Sequence, residues 1–189
     1  MNLFESQLRI LVKFLSKEKI RYAILGGVAV AVYGEPRMTA DIDVNIILEK
    51  MGMIDFLKKA KRYNFYPSIP NAKQIALKNG ILPMKLKKGK LNGRIDFIIA
   101  ENAIEFTSIK RASMKKIGCV RAKFVGLEDL IIHKICSSRS RDLEDLKGIL
   151  MRQRGKIKAG YVRIWLKKID SANKGSHLCK LFNGLLKEA

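Results

Sequence analysis

The chain has 189 residues, with 38 Lys and Arg against 17 Asp and Glu, a formal charge of +21 at neutral pH. Hydrophobic residues make up 48% of it and prolines number only 4, which provides for a packed core and excludes a disordered basic tail protein. So large a cationic excess concentrates polyanions around the molecule, making nucleic acid the expected partner ahead of an anionic membrane surface.

The longest near-apolar run, Ala23 to Gly34, is about 12 residues, short of the roughly 20 that a membrane span needs. The N-terminal stretch carries Glu5 and alternates charge with apolar residues, unlike a signal peptide, so the cytoplasm is the expected compartment. Cys119, Cys136 and Cys179 are odd in number and far apart, which suggests neither a disulfide framework nor a zinc site. Cys119 and Cys136 read as small buried hydrophobes.

Leu3, Phe4, Leu8, Leu11, Phe14 and Leu15 predict an opening helix with one apolar face. Tyr22 to Leu25 reads as a buried strand ending at Gly26-Gly27, and Val28 to Tyr33 as a short helix closed by a left-handed Gly34. Residues 35–40 form a loop around Pro36. Asp41 to Ile47 alternates polar and apolar residues, a strand with one buried face. A helix is expected over 51–62, with Met53, Ile54, Leu57 and Ala60 inward. Two short strands, 74–78 and 81–86, are expected around the hairpin dipeptide Asn79-Gly80.

Residues 93–99 form a further strand whose only acid is Asp96. Leu127 to Ile135 and Leu143 to Leu150 mark two helices. Beyond Met151, ten basic residues face two acids, and two helical stripes follow, one on Ile157, Tyr161, Ile164, Trp165 and Ile169 and one on Leu178, Leu181, Phe182, Leu185 and Leu186. The expectation is an α/β (α+β) core over 1–126, a short mixed sheet flanked by helices, and a C-terminal helical part over 127–189.

Chemistry concentrates on Asp41-x-Asp43, since side chains at i and i+2 of a strand share a face. Two carboxylates so close repel unless a cation lies between them, which calls for Mg²⁺ or Mn²⁺. Asp96, in an otherwise apolar strand, supplies a third carboxylate if the strands are neighbours. Gly26-Gly27, between a strand and a helix, aims backbone N–H groups and the positive helix end at an anion. Neither a P-loop nor a dinucleotide fingerprint occurs. Basic clusters lie at Lys85, Lys87, Lys88, Lys90 and Arg94, and at 110–123, where no acid occurs between Thr107 and Phe124.

Gly26-Gly27 followed by Ala29, Tyr33, Arg37, Thr39 and Asp41-Ile42-Asp43 resembles the signature of the nucleotidyltransferase fold shared with DNA polymerase beta. More narrowly, with Leu127-Glu128-Asp129-Leu130, Lys134 and Arg139-x-Arg141-Asp142-x-x-Asp145, it is similar to the AbiEii-like group, many of whose members are toxins of toxin–antitoxin pairs. The resemblance covers about Tyr22 to Leu150 and leaves out the basic tail.

It implies a triphosphate held by Gly26 and Gly27, and divalent ions on Asp41 and Asp43 shared with Asp96, which favours deprotonation of an acceptor hydroxyl. It further implies Arg37 and Thr39 near the γ-phosphate, Lys134 on phosphate and Asp142 in support. Gly27 stands where the family often has Ser, which removes one phosphate hydrogen bond. The implied activity is metal-dependent transfer of a nucleoside monophosphate from an NTP to a hydroxyl, foremost on RNA such as the tRNA 3′ end, with a cognate antitoxin as a partner. The alternatives are a protein or small-molecule hydroxyl acceptor, or a catalytically silent nucleic-acid-binding protein.

Overall fold

The computed structural model describes residues 3–39, 41–173 and 177–189, and the chain divides into two compact units. Unit 1 comprises Met1–Val28 with Met38–Val125; unit 2 comprises Ala29–Arg37 with Gly126–Ala189. In chain order the elements are α1 (Leu3–Lys17), β1 (Tyr22–Leu25), α2 (Gly26–Tyr33), β2 (Asp41–Ile46), α3 (Met53–Arg62), β3 (Phe65–Pro67) and α4 (Ala72–Asn79). Then come β4 (Ile81–Lys88), β5 (Leu91–Ile99), α5 (Ala103–Lys110), β6 (Ser113–Ile117), β7 (Val120–Phe124), α6 (Leu127–Ser137), α7 (Ser140–Arg152), α8 (Ala159–Ala172) and α9 (Leu178–Glu188). Among the described residues no helix is long and apolar enough to cross a membrane.

Unit 1 is built on one mixed sheet in the order β3-β4-β5-β2-β1-β7-β6. β2 runs parallel to β5, and β1 parallel to β7; the other neighbours are antiparallel. The period-two alternation of β2 and β5 sends Ile42, Val44, Ile46, Ile95, Phe97 and Ile99 to a buried face. There they meet the apolar stripe of α1, whose Phe14 ring lies 5.5 Å from Phe56, 5.4 Å from Phe65 and 6.3 Å from Phe97. The opposite face carries the polar residues of the same strands.

Several local expectations change. Residues 72–79 are a helix, because Gly80 adopts φ +69° and its N–H closes on Ala76 O: the Asn-Gly pair ends a helix instead of turning a hairpin. The hairpin belongs to β4 and β5. In α3 the inward residues are Met53, Phe56 and Ala60, while Ile54 is exposed. Ile164 is likewise exposed, and α8 buries Val162 and Leu166. The left-handed glycine of α2 is Gly26 at its start, whereas Gly34 is needed for close approach, a Cβ there falling 2.8 Å from Ile149 Cγ1. Cys119 and Cys136 are exposed, not buried. Ala40, the last residue of the expected 35–40 loop, lies outside the described residues.

Unit 2 packs α6, α7, α8 and α9 together. Two buried acids of α6 tie down the tail: Asp129 accepts from the Tyr161 hydroxyl at 2.7 Å, and Glu128 from the Lys158 backbone N–H at 3.2 Å.

Candidate functional site

In unit 1 the parallel register sets Asp41 opposite Arg94 and Asp43 opposite Asp96. Alternation puts all four side chains on the open face of the sheet, each at least partly exposed. Arg94 reaches across the group: its guanidinium donates to Asp96 at 3.1 and 3.3 Å and lies 3.7 Å from Asp41 Oδ2. The hydrogen bonds and charge of Asp96, then the charge of Asp41, hold Arg94 above even its ordinary high pKa.

The glycine turn serves this cluster directly. Gly26 adopts φ +64°, and an added Cβ would stand 1.8 Å from Asp43 Oδ2, so only glycine lets the carboxylate lie against the start of α2. Gly27 is buried. Thr39 donates its hydroxyl to the backbone carbonyl of Asp41 at 3.1 Å, bracing the first residue of β2. Two residues beyond Asp43, the Asn45 side chain is fully buried and its amide has no hydrogen-bond partner among the described residues.

The remaining expected residues lie in unit 2. Lys134 is buried, and its ammonium bonds to Asp142 and, at 2.7 Å, to Asp145. Arg37 forms a two-pronged pair with Asp145 at 2.7 and 2.8 Å, and the Ser137 hydroxyl donates to Asp142. Burial pushes both carboxyl pKa values up. Hydrogen bonds from Lys134 and Ser137 to Asp142, and from Arg37 and Lys134 to Asp145, outweigh it and hold both below the usual range. Lys134 is thus neither an exposed helix lysine nor an idle one.

The expected site residues therefore fall into two groups: Gly26, Gly27, Thr39, Asp41, Asp43 and Asp96 in unit 1, and Arg37, Lys134 and Asp142 in unit 2. Sequence reasoning missed Arg94 and Asp145 as members of these groups. The i, i+2 spacing of Arg94 and Asp96 was the available signal for the first.

Among the described residues no three His, Cys, Asp or Glu side chains gather closely enough to hold a metal ion, and Arg94 lies against both Asp41 and Asp96. The donor chemistry nevertheless fits a hard divalent cation: three carboxylates on adjacent strands, accessible, with one cationic side chain already drawn among them.

A mixed sheet with an acidic pair at the start of one strand, a third acid on its parallel neighbour and a glycine turn beside them defines the nucleotidyltransferase class. The chain belongs to the family described as "Nucleotidyltransferase of unknown function (DUF6036)", whose model matches residues 3–159. No curated protein matches the sequence. Among solved structures, an antigenic nucleotidyltransferase-like protein from Paracoccidioides brasiliensis is similar with TM-score 0.53 and 17% identity, covering 94% of this chain and 89% of that one. The antibiotic-resistance factor ANT(2'')-Ia is similar with TM-score 0.61 and 12% identity, covering 88% of this chain and 92% of that one. At these identities the likeness is one of fold.

Proposed function

We propose that this nucleotidyltransferase moves a nucleoside monophosphate from an NTP to a hydroxyl at the end of an RNA strand, tRNA foremost. The observation that carries the reading is the cluster of three carboxylates on the open face of adjacent strands, with Arg94 drawn to Asp41 and Asp96. Asp41, Asp43 and Asp96 are the residues to hold Mg²⁺ or Mn²⁺, which when bound acidifies the attacking hydroxyl and offsets charge on the leaving pyrophosphate.

The chain's own residues do the rest. Backbone N–H groups at the start of α2, from Gly26-Gly27 onward, face the triphosphate at the positive helix end. Asp96 accepts the proton of the acceptor hydroxyl as its oxygen bonds to the α-phosphorus and the bond to the β-phosphate bridge breaks. Thr39 keeps Asp41 in place. Arg37, Lys134 and Asp142 act in support through Asp145, since their charges are met within unit 2. RNA is favoured as acceptor by the +21 charge, which disfavours a cationic small molecule.

The test is incubation with each α-labelled NTP, Mg²⁺ or Mn²⁺, and total tRNA. Label on RNA is the expected result; none with any of the four nucleotides overturns the RNA acceptor, and label on a protein band reassigns it. A toxin role rests on the AbiEii-like resemblance of α6 and α7, and growth arrest on induced expression, relieved by a neighbouring gene, is its readout.

A further inference from the structure

The strand register aligns one row of side chains across four strands. Asp41 of β2 pairs with Arg94 of β5, Arg94 with Lys85 of β4, and Lys85 with Tyr66 of β3. Because directly opposed residues share a face, the row runs along the open side of the sheet from the carboxylates to its edge. Three interstrand spacings make it about 14 Å long. Lys87, also on this face, adds an exposed cation one step along β4.

Two features of the row point to a polyanion. Lys85 and Arg94 are like charges set directly opposite each other, and while Asp96 and Asp41 offset Arg94, Lys85 and Lys87 add cations along the row that a bound anion would meet. At its far end the row meets a groove of about 300 Å³ at the sheet edge, of which Tyr66 is one wall. Ile54, Leu57, Phe65 and Pro67 give it apolar sides, and Lys58 and Lys61 add two cations. Apolar and aromatic walls beside lysines match a nucleobase with its flanking phosphates, and this groove accounts for the outward Ile54 on α3.

We propose that this row is the track of the acceptor strand: a single-stranded polynucleotide whose phosphates lie on Arg94, Lys85 and Lys87, whose base stacks on Tyr66 in the edge groove, and whose terminal hydroxyl reaches the carboxylates. The inference rests on the transferase reading for the role of the carboxylates, but its binding test does not need turnover. The bound species is defined by a phosphate backbone with unpaired bases. RNA and DNA oligonucleotides of equal length distinguish its source.

The experiment is fluorescence anisotropy of a labelled single-stranded oligonucleotide at several salt concentrations, without NTP. Each lysine lost from the track is expected to lower the slope of log affinity against log salt by roughly 0.7, so Lys85→Gln/Lys87→Gln lowers it by about twice that. Tyr66→Leu is expected to weaken binding about 5- to 100-fold with the slope unchanged, the signature of lost stacking. Lys167→Gln/Lys187→Gln, exposed lysines of unit 2, is the charge-matched control and is expected to change the slope less. An unchanged slope in the track variant, an equal drop in the control, or tighter binding of duplex than of single strand would overturn the track. Transfer to RNA that persists with unaltered affinity in the track variants would overturn the track while leaving the transferase reading in place.

Discussion

The molecule holds two clusters of opposed charge that differ in the exposure of their bases. In unit 2, Asp142 and Asp145 meet Lys134 and Arg37, two acids for two bases; the side chains of Lys134 and Asp145 are only 6% and 5% exposed. In unit 1, Asp41 and Asp96 pair with Arg94 beside Asp43, and Arg94 is 57% exposed. A balanced buried cluster satisfies itself and is costly to break. An open one leaves its carboxylates within reach of a ligand. The first is closed within unit 2, and the second lies on the open face of the sheet, where the proposed function puts it to use.

The largest expected effect comes from breaking the balanced cluster. Asp145→Ala removes the two-pronged partner of Arg37 and one of the two carboxylates on Lys134, which keeps Asp142, and a loss of about 1.5–3 kcal/mol in unfolding free energy is expected from denaturant titration. Removing an acid from the open cluster is expected to leave stability nearly unchanged, because it relieves repulsion. A loss as large in Asp41→Asn as in Asp145→Ala would erase the distinction.

Acid sharpens the same contrast. Asp142 and Asp145 have folded pKa values below their unfolded ones, so their stabilisation is present above the usual carboxylate range near pH 4 and is lost as pH falls through the depressed folded values. Thermal melts from pH 6 downward are expected to show a fall in Tm below about pH 4 that flattens in Asp142→Asn.

A smaller gain is expected at Asn45, whose buried amide makes no hydrogen bond among the described residues. Asn45→Val, a good strand residue of similar size, is expected to stabilise by about 1 kcal/mol in the same titration. The smallest effect concerns Arg94, the resident counter-ion of the open cluster. Arg94→Gln is expected to tighten Mn²⁺ binding several-fold in calorimetry without nucleotide, since the ion no longer competes with the guanidinium; weaker binding would give Arg94 another part.

Much of this was legible in the sequence where one periodicity ruled. The alternation of 41–46 placed Asp41 and Asp43 on one face, whereas α5, started by the capping box of Asn102 with Glu105, went unread. Legibility failed where one signal serves two structures: Asn79-Gly80 turns hairpins and also ends helices, and only the long-range pairing of β4 with β5 settled it. The row from Asp41 to Tyr66 was invisible because it depends on strand order. Burial of Lys134 was hidden too, since its partners come from another helix.

The most direct measurement compares wild type and Asp43→Asn in transfer of label from α-labelled NTP to RNA, with Tm recorded for both. The account predicts labelled RNA with wild type, a loss of at least about 100-fold in the variant, and closely similar Tm values. Equal labelling by Asp43→Asn, or loss of activity matched by loss of fold, would contradict the assignment of the open carboxylate cluster as the catalytic one.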